Sequence, residues 1–292
     1  MSTLEFRQSS AASLDEVETE HFGAVSVRRR NCPLCDRDNH DIAASPYSHH
    51  PWDIKQCPGC RFVYIDRAPV YDLQFSTMAW ERTTKIEEER RAKIRPFSYR
   101  ASKRTGFRKR LLPKRTMLDY TVGRIGGGNV IDLGCGDGHA LLGFPSSFIP
   151  FGIEISSSLA ASAHQAYAER GGYAINAACV DGLRQLPEGF FVAASLRSYL
   201  EHDAEPLPVL RELHRVLTPA GFAVVKVPNY GSLNRIVMGR RWCGFRYPDH
   251  LNYFAPDTLR AMAASAGFRA SFGLSGRIPT SDNMWAVLTK TP

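Results

Sequence analysis

Four cysteines and a run of glycines carry the clearest chemistry in this 292-residue chain. Cys32-Pro33-Leu34-Cys35 and Cys57-Pro58-Gly59-Cys60 are two Cys-x-x-Cys pairs with 21 residues between them. Each pair makes a tight knuckle whose thiolates face one point, and four thiolates complete the closed tetrahedral shell of a structural zinc site. A redox Cys-x-x-Cys would sit beside a βαβ pattern and would need no twin. His40, His49 and His50 fall between the knuckles and read as surface histidines, because the cysteines already fill the shell. In residues 129–140 the apolar pair Val130-Ile131 runs into Asp132 and then into Gly134, Gly136 and Gly138. This reads as a buried strand ending in a tight turn, where a backbone without Cβ atoms admits a ligand closely. A dinucleotide fingerprint needs glycine three residues after Gly136, and that residue is His139, so NAD is disfavoured.

Asp132-Leu133-Gly134-Cys135-Gly136-Asp137-Gly138 resembles the glycine-rich first motif of class I S-adenosylmethionine-dependent methyltransferases. The resemblance continues in family order at Phe151-Gly152-Ile153-Glu154, Cys179-Val180-Asp181-Gly182 and Tyr199-Leu200-Glu201-His202. It ends with Leu217-Thr218-Pro219-Ala220-Gly221 and His250-Leu251-Asn252-Tyr253-Phe254, and so covers residues 116–292. It implies an α/β, Rossmann-like domain with a mostly parallel seven-stranded sheet and S-adenosylmethionine as cofactor. Glu154, 22 residues after Asp132, stands near the spacing at which a carboxylate on the second strand accepts both ribose hydroxyls, and the resemblance implies that role. It further implies that Asp181 accepts from the adenine amino group, with Gly182 beside it, and that Asp132 lies near the donor's methionine end. The cysteine ribbon followed by Tyr71, Phe75 and Trp80 is similar to the leader of a subset of these enzymes, many of which resemble modifiers of sugars, polysaccharides or other small molecules.

Methyl transfer from a sulfonium is an in-line displacement, so the protein must align donor and acceptor and remove a proton where needed. For the base the sequence offers first His250, in Asp249-His250-Leu251, whose imidazole titrates near neutrality beside a carboxylate, and then His202. Ubiquinone-pathway O-methyltransferases carry a further metal-binding glutamate three residues before the glutamate of the Glu-His pair; here that residue is Ser198, which argues against a catalytic metal. Ser195-Leu196-Arg197-Ser198 lacks the Asn/Asp-Pro-Pro-aromatic motif of adenine and glutamine N-methyltransferases, and no Pro-Cys nucleophile suits cytosine C5. The expected activity is methyl transfer to a small-molecule hydroxyl or carbon, sugar-like or polyketide-like. The alternatives are a ribosomal-RNA methyltransferase and a donor-binding module without catalysis.

The elements that must position these groups follow from pattern. Residues 1–24 are polar and aperiodic and read as a disordered tail. Residues 25–70 form the zinc ribbon, 71–115 a basic, partly helical connector, and 116–292 the methyltransferase domain. The net charge of +8 is concentrated in residues 82–115, with 14 Lys/Arg against 3 Glu, a face that could meet nucleic acid but more simply is solvated. Leu118, Val122 and Ile125 mark an amphipathic helix before the first strand. Strand and helix patterns then alternate, as a parallel sheet covered on both faces requires. Residues 228–254 break the alternation with a long aromatic connection expected to form the acceptor pocket. No apolar run is long enough to span a bilayer and the first twenty residues resemble no export signal, so no membrane partner and a cytoplasmic location are expected.

Overall fold

A computed structural model describes residues 19–22, 25–69, 117–273 and 281–291. The basic run 82–115 with its expected helix, and the leader residues Tyr71, Phe75 and Trp80, lie outside the described residues. In the N-terminal part β1 (Thr19–Phe22) and β2 (Val25–Arg29) form an antiparallel hairpin. The tail expected over residues 1–24 therefore ends earlier, since its last part carries a paired strand. Strands β3 (Ile54–Gln56), β4 (Val63–Ile65) and β5 (Arg67–Pro69) follow; β5 joins β2, and β3 pairs with β4.

Helix α1 (Met117–Val122) is shorter than the apolar stripe predicts and is rotated against it: Met117 and Thr121 are buried, whereas Val122 is exposed. Thr121 can face inward because its hydroxyl donates to the carbonyl of Met117, one turn back, at 2.9 Å. The alternating part then runs β6 (Gly128–Leu133), α2 (His139–Leu142), β7 (Phe148–Glu154), α3 (Ser157–Ala168) and β8 (Tyr173–Asn176). It continues through α4 (Cys179–Arg184), β9 (Phe191–Arg197), α5 (Pro206–Val216) and β10 (Leu217–Pro228). Helix α6 (Leu233–Met238), a 3-10 turn and β11 (Asn252–Tyr253) precede α7 (Pro256–Ser265), β12 (Phe268–Phe272) and β13 (Asn283–Lys290).

The seven-stranded sheet has the order β12-β13-β10-β9-β6-β7-β8, parallel except for β13, which runs antiparallel to both neighbours. Central strands buried on both faces need apolar residues at successive positions, and Val130-Ile131, Ala193-Ala194 and Val224-Val225 supply them. Helix α5 shows how a face is covered: Leu207, Leu210, Leu213 and Val216 are buried while Arg211 is exposed. Strand β6 has β7 on one side and β9 on the other, so its carboxyl end lies where the strand order reverses, the usual ligand crevice of open α/β sheets.

The ribbon is not a separate lobe. Strand β11, from the long connection, pairs antiparallel with β4 and adds a third strand to the ribbon's sheet. Val27, Trp52, Ile54, Val63 and Ile65 of the ribbon share one core with Trp242, Phe245, Leu251 and Tyr253. Phe62 meets Phe254 edge-to-face with centroids 5.2 Å apart. The rings expected to line an acceptor pocket are thus buried against the ribbon. The physical reason is size: about 45 residues cannot bury an adequate core alone, and the ribbon borrows apolar surface from its neighbour.

Candidate active site

The glycine turn lies at the carboxyl end of β6. Gly134, Gly136 and Gly138 have φ of +70°, +57° and +87°, a backbone region in which other L-residues are strained. The turn is stitched to β7: the N–H groups of Gly134 and Cys135 donate to the carbonyl of Ile153 at 2.9 and 3.2 Å. Glu154, at the end of β7, accepts from the N–H of Gly136 through Oε2 and from that of Ser156 through Oε1, both at 2.9 Å. A carboxylate has about four acceptor positions, so a lone pair on each oxygen is left for a diol. Asp132 is buried beneath the turn; burial pushes its carboxyl up to about 7, opposed by a hydrogen bond with Ser195 and by Arg197. Asp181 sits in the first turn of α4, exposed, 3.1 Å from the guanidinium of Arg184. Gly182 is buried against Ile153, where a Cβ would stand 2.7 Å from Cγ2. Asp132, Gly134, Gly136, Gly138 and Glu154 are thus brought to one sheet edge, while the Asp181 side chain turns along its own helix.

The two candidate bases lie side by side. His202 stands after β9 and His250 just before β11, with ring centroids 4.8 Å apart and planes nearly perpendicular. The Nδ1 of His202 lies 2.8 Å from the carbonyl of Asp249, and that of His250 lies 2.7 Å from the carbonyl of Gly244. A carbonyl can only accept, so each Nδ1 carries a proton, and in a neutral ring Nε2 then carries the lone pair. Burial, followed by the nearby Arg246, pushes His202 down to about 4 and keeps its imidazole neutral. Its side chain is nevertheless 32% exposed, whereas His250 is 4% exposed. The carboxylate of Asp249, expected to orient His250, accepts from Arg246 Nη2 at 2.9 Å, and it is the backbone of Asp249 that orients His202. Glu201 is buried beside them, with Oε1 4.0 Å from His202 Nε2 and Oε2 without a hydrogen-bond partner among the described residues. Burial pushes its carboxyl up to about 7.

The four cysteines of the ribbon converge on one point. Their Sγ atoms all lie within 4.8 Å of one another, with Cys32 to Cys60 at 3.4 Å and Cys35 to Cys57 at 3.6 Å. A zinc–sulfur bond of about 2.3 Å gives a tetrahedral edge of about 3.8 Å, so these separations suit a shared metal. The two knuckles repeat one geometry. In each, the residue after the second cysteine has positive φ, Asp36 at 56° and Arg61 at 62°, and its N–H donates to the first cysteine's carbonyl at 2.8 Å.

Comparison with known proteins decides the family. A family model described as a methyltransferase domain matches residues 90–270, more than half of the chain. The chain belongs to that methyltransferase family. S-adenosylmethionine is the donor expected of such an enzyme. Similar solved structures include a SAM-dependent methyltransferase from Archaeoglobus fulgidus, with 16% identity, a TM-score of 0.45, and coverage of 56% of this chain and 87% of that one. One from Thermotoga maritima, described as a possible histamine N-methyltransferase, has 18% identity, a TM-score of 0.45, and coverage of 73% and 98%. One from Methanosarcina mazei has 16% identity, a TM-score of 0.46, and coverage of 57% and 95%. Comparison with curated proteins finds no match. No helix among the methyltransferase's described residues is long and apolar enough to cross a membrane.

Sequence reasoning missed several residues of the methyltransferase's site. The ring of Tyr199 lies over the glycine turn, 3.1 Å from where a Cβ on Gly134 would sit, and its hydroxyl donates to Asp203. Ser198, just after β9, holds φ at +57°, a conformation that costs roughly 1–2 kcal/mol in a non-glycine residue. Asn252 Nδ2 donates to the carbonyls of Leu200 and Asp203, both at 2.7 Å. The only signal for Tyr199 and Asn252 was their place inside motifs quoted for the neighbouring histidines.

Proposed function

We propose that this methyltransferase transfers a methyl group from S-adenosylmethionine to a hydroxyl or carbon of a small molecule, sugar-like or polyketide-like. The reading is carried by one observation: a part-exposed imidazole, its Nδ1 hydrogen-bonded to the carbonyl of Asp249, stands after β9, the strand next to β6 and its glycine turn. The donor, when bound, supplies an electrophilic methyl on a sulfonium. Gly134, Gly136 and Gly138 would admit it closely, Glu154 would accept its ribose hydroxyls, Asp132 would face its charged end, and Asp181 with Gly182 would border the adenine. His202, with Nδ1 held by the carbonyl of Asp249, would take the acceptor's proton at Nε2. Of the two histidines the exposed one can reach an acceptor, so His202 takes the role expected first of His250, and His250 backs its ring. Cys32, Cys35, Cys57 and Cys60 hold one structural zinc, whose thiolate shell leaves no open position for chemistry.

The test is incubation with methyl-labelled donor and, separately, cell metabolites, RNA and protein. Label is expected in the low-mass fraction. Label in RNA, lost when Lys103, Arg104, Arg108 and Lys109 are neutralised and falling steeply with salt, would replace the reading by nucleic-acid methylation. Label in no fraction despite tight donor binding would favour the non-catalytic module. Metal analysis is expected to find one zinc per chain, lost in Cys57→Ser; a chain that carries no zinc would remove the ribbon assignment.

A further inference from the structure

The part-buried side chain of Arg30 bridges the ribbon and the turn that bears Glu201 and His202. Arg30 follows β2 and stands two residues before Cys32. Its Nε donates to the carbonyl of Ile65 at 2.8 Å, Nη1 to that of Ala204 at 2.8 Å, and Nη2 to that of Leu251 at 2.6 Å and to Oδ1 of Asn252 at 3.0 Å. Asn252 in turn holds the carbonyls of Leu200 and Asp203, and the N–H groups of Leu251 and Asn252 both donate to the carbonyl of Glu201, at 2.7 and 3.1 Å. The carbonyls of residues 200, 201, 203 and 204 are therefore all held by Arg30 or by the strand it clamps. His202 lies inside that set, and His250 is the residue before Leu251.

We infer that Arg30 is a positioning residue for the base, and that metal held by the four cysteines governs the acceptor half of the active site while leaving the donor half alone. A guanidinium carries five donors in a rigid plane, which is what acceptors contributed by three separate segments require; a lysine ammonium has neither the reach nor the fork. The knuckle that closes on the metal begins at Cys32, whose N–H donates to the carbonyl of Arg37 at 3.0 Å, so closing it sets the backbone that aims Arg30. The donor half is held mainly by Ile153 and Glu154 of β7, and it meets this turn through the Tyr199 ring over Gly134. This inference rests on the reading of His202 as the base.

The test uses the full metal-loaded chain as wild type, Arg30→Met, Arg30→Lys and, as a control, Arg28→Met, which removes a surface ion pair to Glu205 between the same two units. Donor affinity is measured by calorimetry. The ring-proton titration of His202, identified by its loss in His202→Gln, is followed by NMR in each protein and in wild type stripped of metal by a chelator. In Arg30→Met and Arg30→Lys, donor affinity is expected within about twofold of wild type. Methyl transfer is expected to fall about 10- to 100-fold, as misplacement of a reacting group by an ångström does. The His202 titration is expected to move in both variants and to move likewise in stripped wild type, with Arg28→Met unchanged throughout. An unmoved His202 titration after metal removal would overturn the inference even if Arg30→Met failed to fold. So would donor affinity collapsing in step with transfer in Arg30→Lys. If His202→Ala kept full transfer while the Arg30 variants still shifted the titration, the base reading alone would fall.

Discussion

Replacing His202 by alanine is expected to slow single-turnover methyl transfer by about 10²- to 10⁴-fold with donor affinity unchanged, because an acceptor hydroxyl is a poor nucleophile until its proton is taken. The ring is poised for this by geometry: Nδ1–H is spent on the carbonyl of Asp249, which leaves Nε2 as the proton acceptor. The accompanying pH dependence has a definite sign. The active form is the neutral imidazole, and burial lowers its affinity for a proton. The acid limb of the rate profile should therefore lie below pH 6.5, the ordinary histidine value, with the rate falling as pH drops through it. His250→Gln should cost less, since the amide can still donate to Gly244 and fill the space behind His202. Rapid-quench assays with labelled donor, run on both variants from pH 5 to 8, check the order. Full activity in His202→Ala would transfer the base role to His250.

The second large effect is expected at Glu154. A charged hydrogen bond is worth roughly 1.5–3 kcal/mol, so losing the carboxylate should weaken donor binding about tenfold or more. The structure adds a second cost, because the same oxygens hold the N–H groups of Gly136 and Ser156 and so shape the turn the donor enters. Glu154→Gln should not rescue binding, since an amide NH₂ would face one of those N–H donors with a donor of its own. Calorimetric titration of Glu154→Ala and Glu154→Gln with S-adenosylmethionine checks this, and wild-type affinity in Glu154→Ala would remove the ribose role.

The part of this site that the sequence revealed was written locally. Gly134, Gly136, Gly138 and Glu154 announce themselves because a tight turn at a strand end and a carboxylate on the next strand are each short-range requirements. The cysteine knuckles are equally local. Strand β12 is local too: Phe268, Ala270 and Phe272 alternate with Arg269 and Ser271, as in a half-covered edge strand. Long-range pairing was not legible. Aromatic residues read the same whether they face a ligand or another segment, so the docking of Trp242, Phe245 and Tyr253 on the ribbon leaves no local mark in the sequence. Arg30, last in the run Arg28-Arg29-Arg30, looks like surface charge until its four acceptors, contributed from residues 65, 204, 251 and 252, are seen. The difference in exposure between His202 and His250 is likewise a matter of tertiary packing.

One titration tests the central assignment most directly. S-adenosylmethionine and, separately, NAD are titrated calorimetrically into the wild-type chain. Saturable binding of one S-adenosylmethionine per chain, with no heat from NAD, is the expected result, because the turn offers glycine at 134, 136 and 138 but His139 where a dinucleotide would need a further glycine. No binding of S-adenosylmethionine, or tighter binding of NAD, would contradict the donor site described at the end of β6.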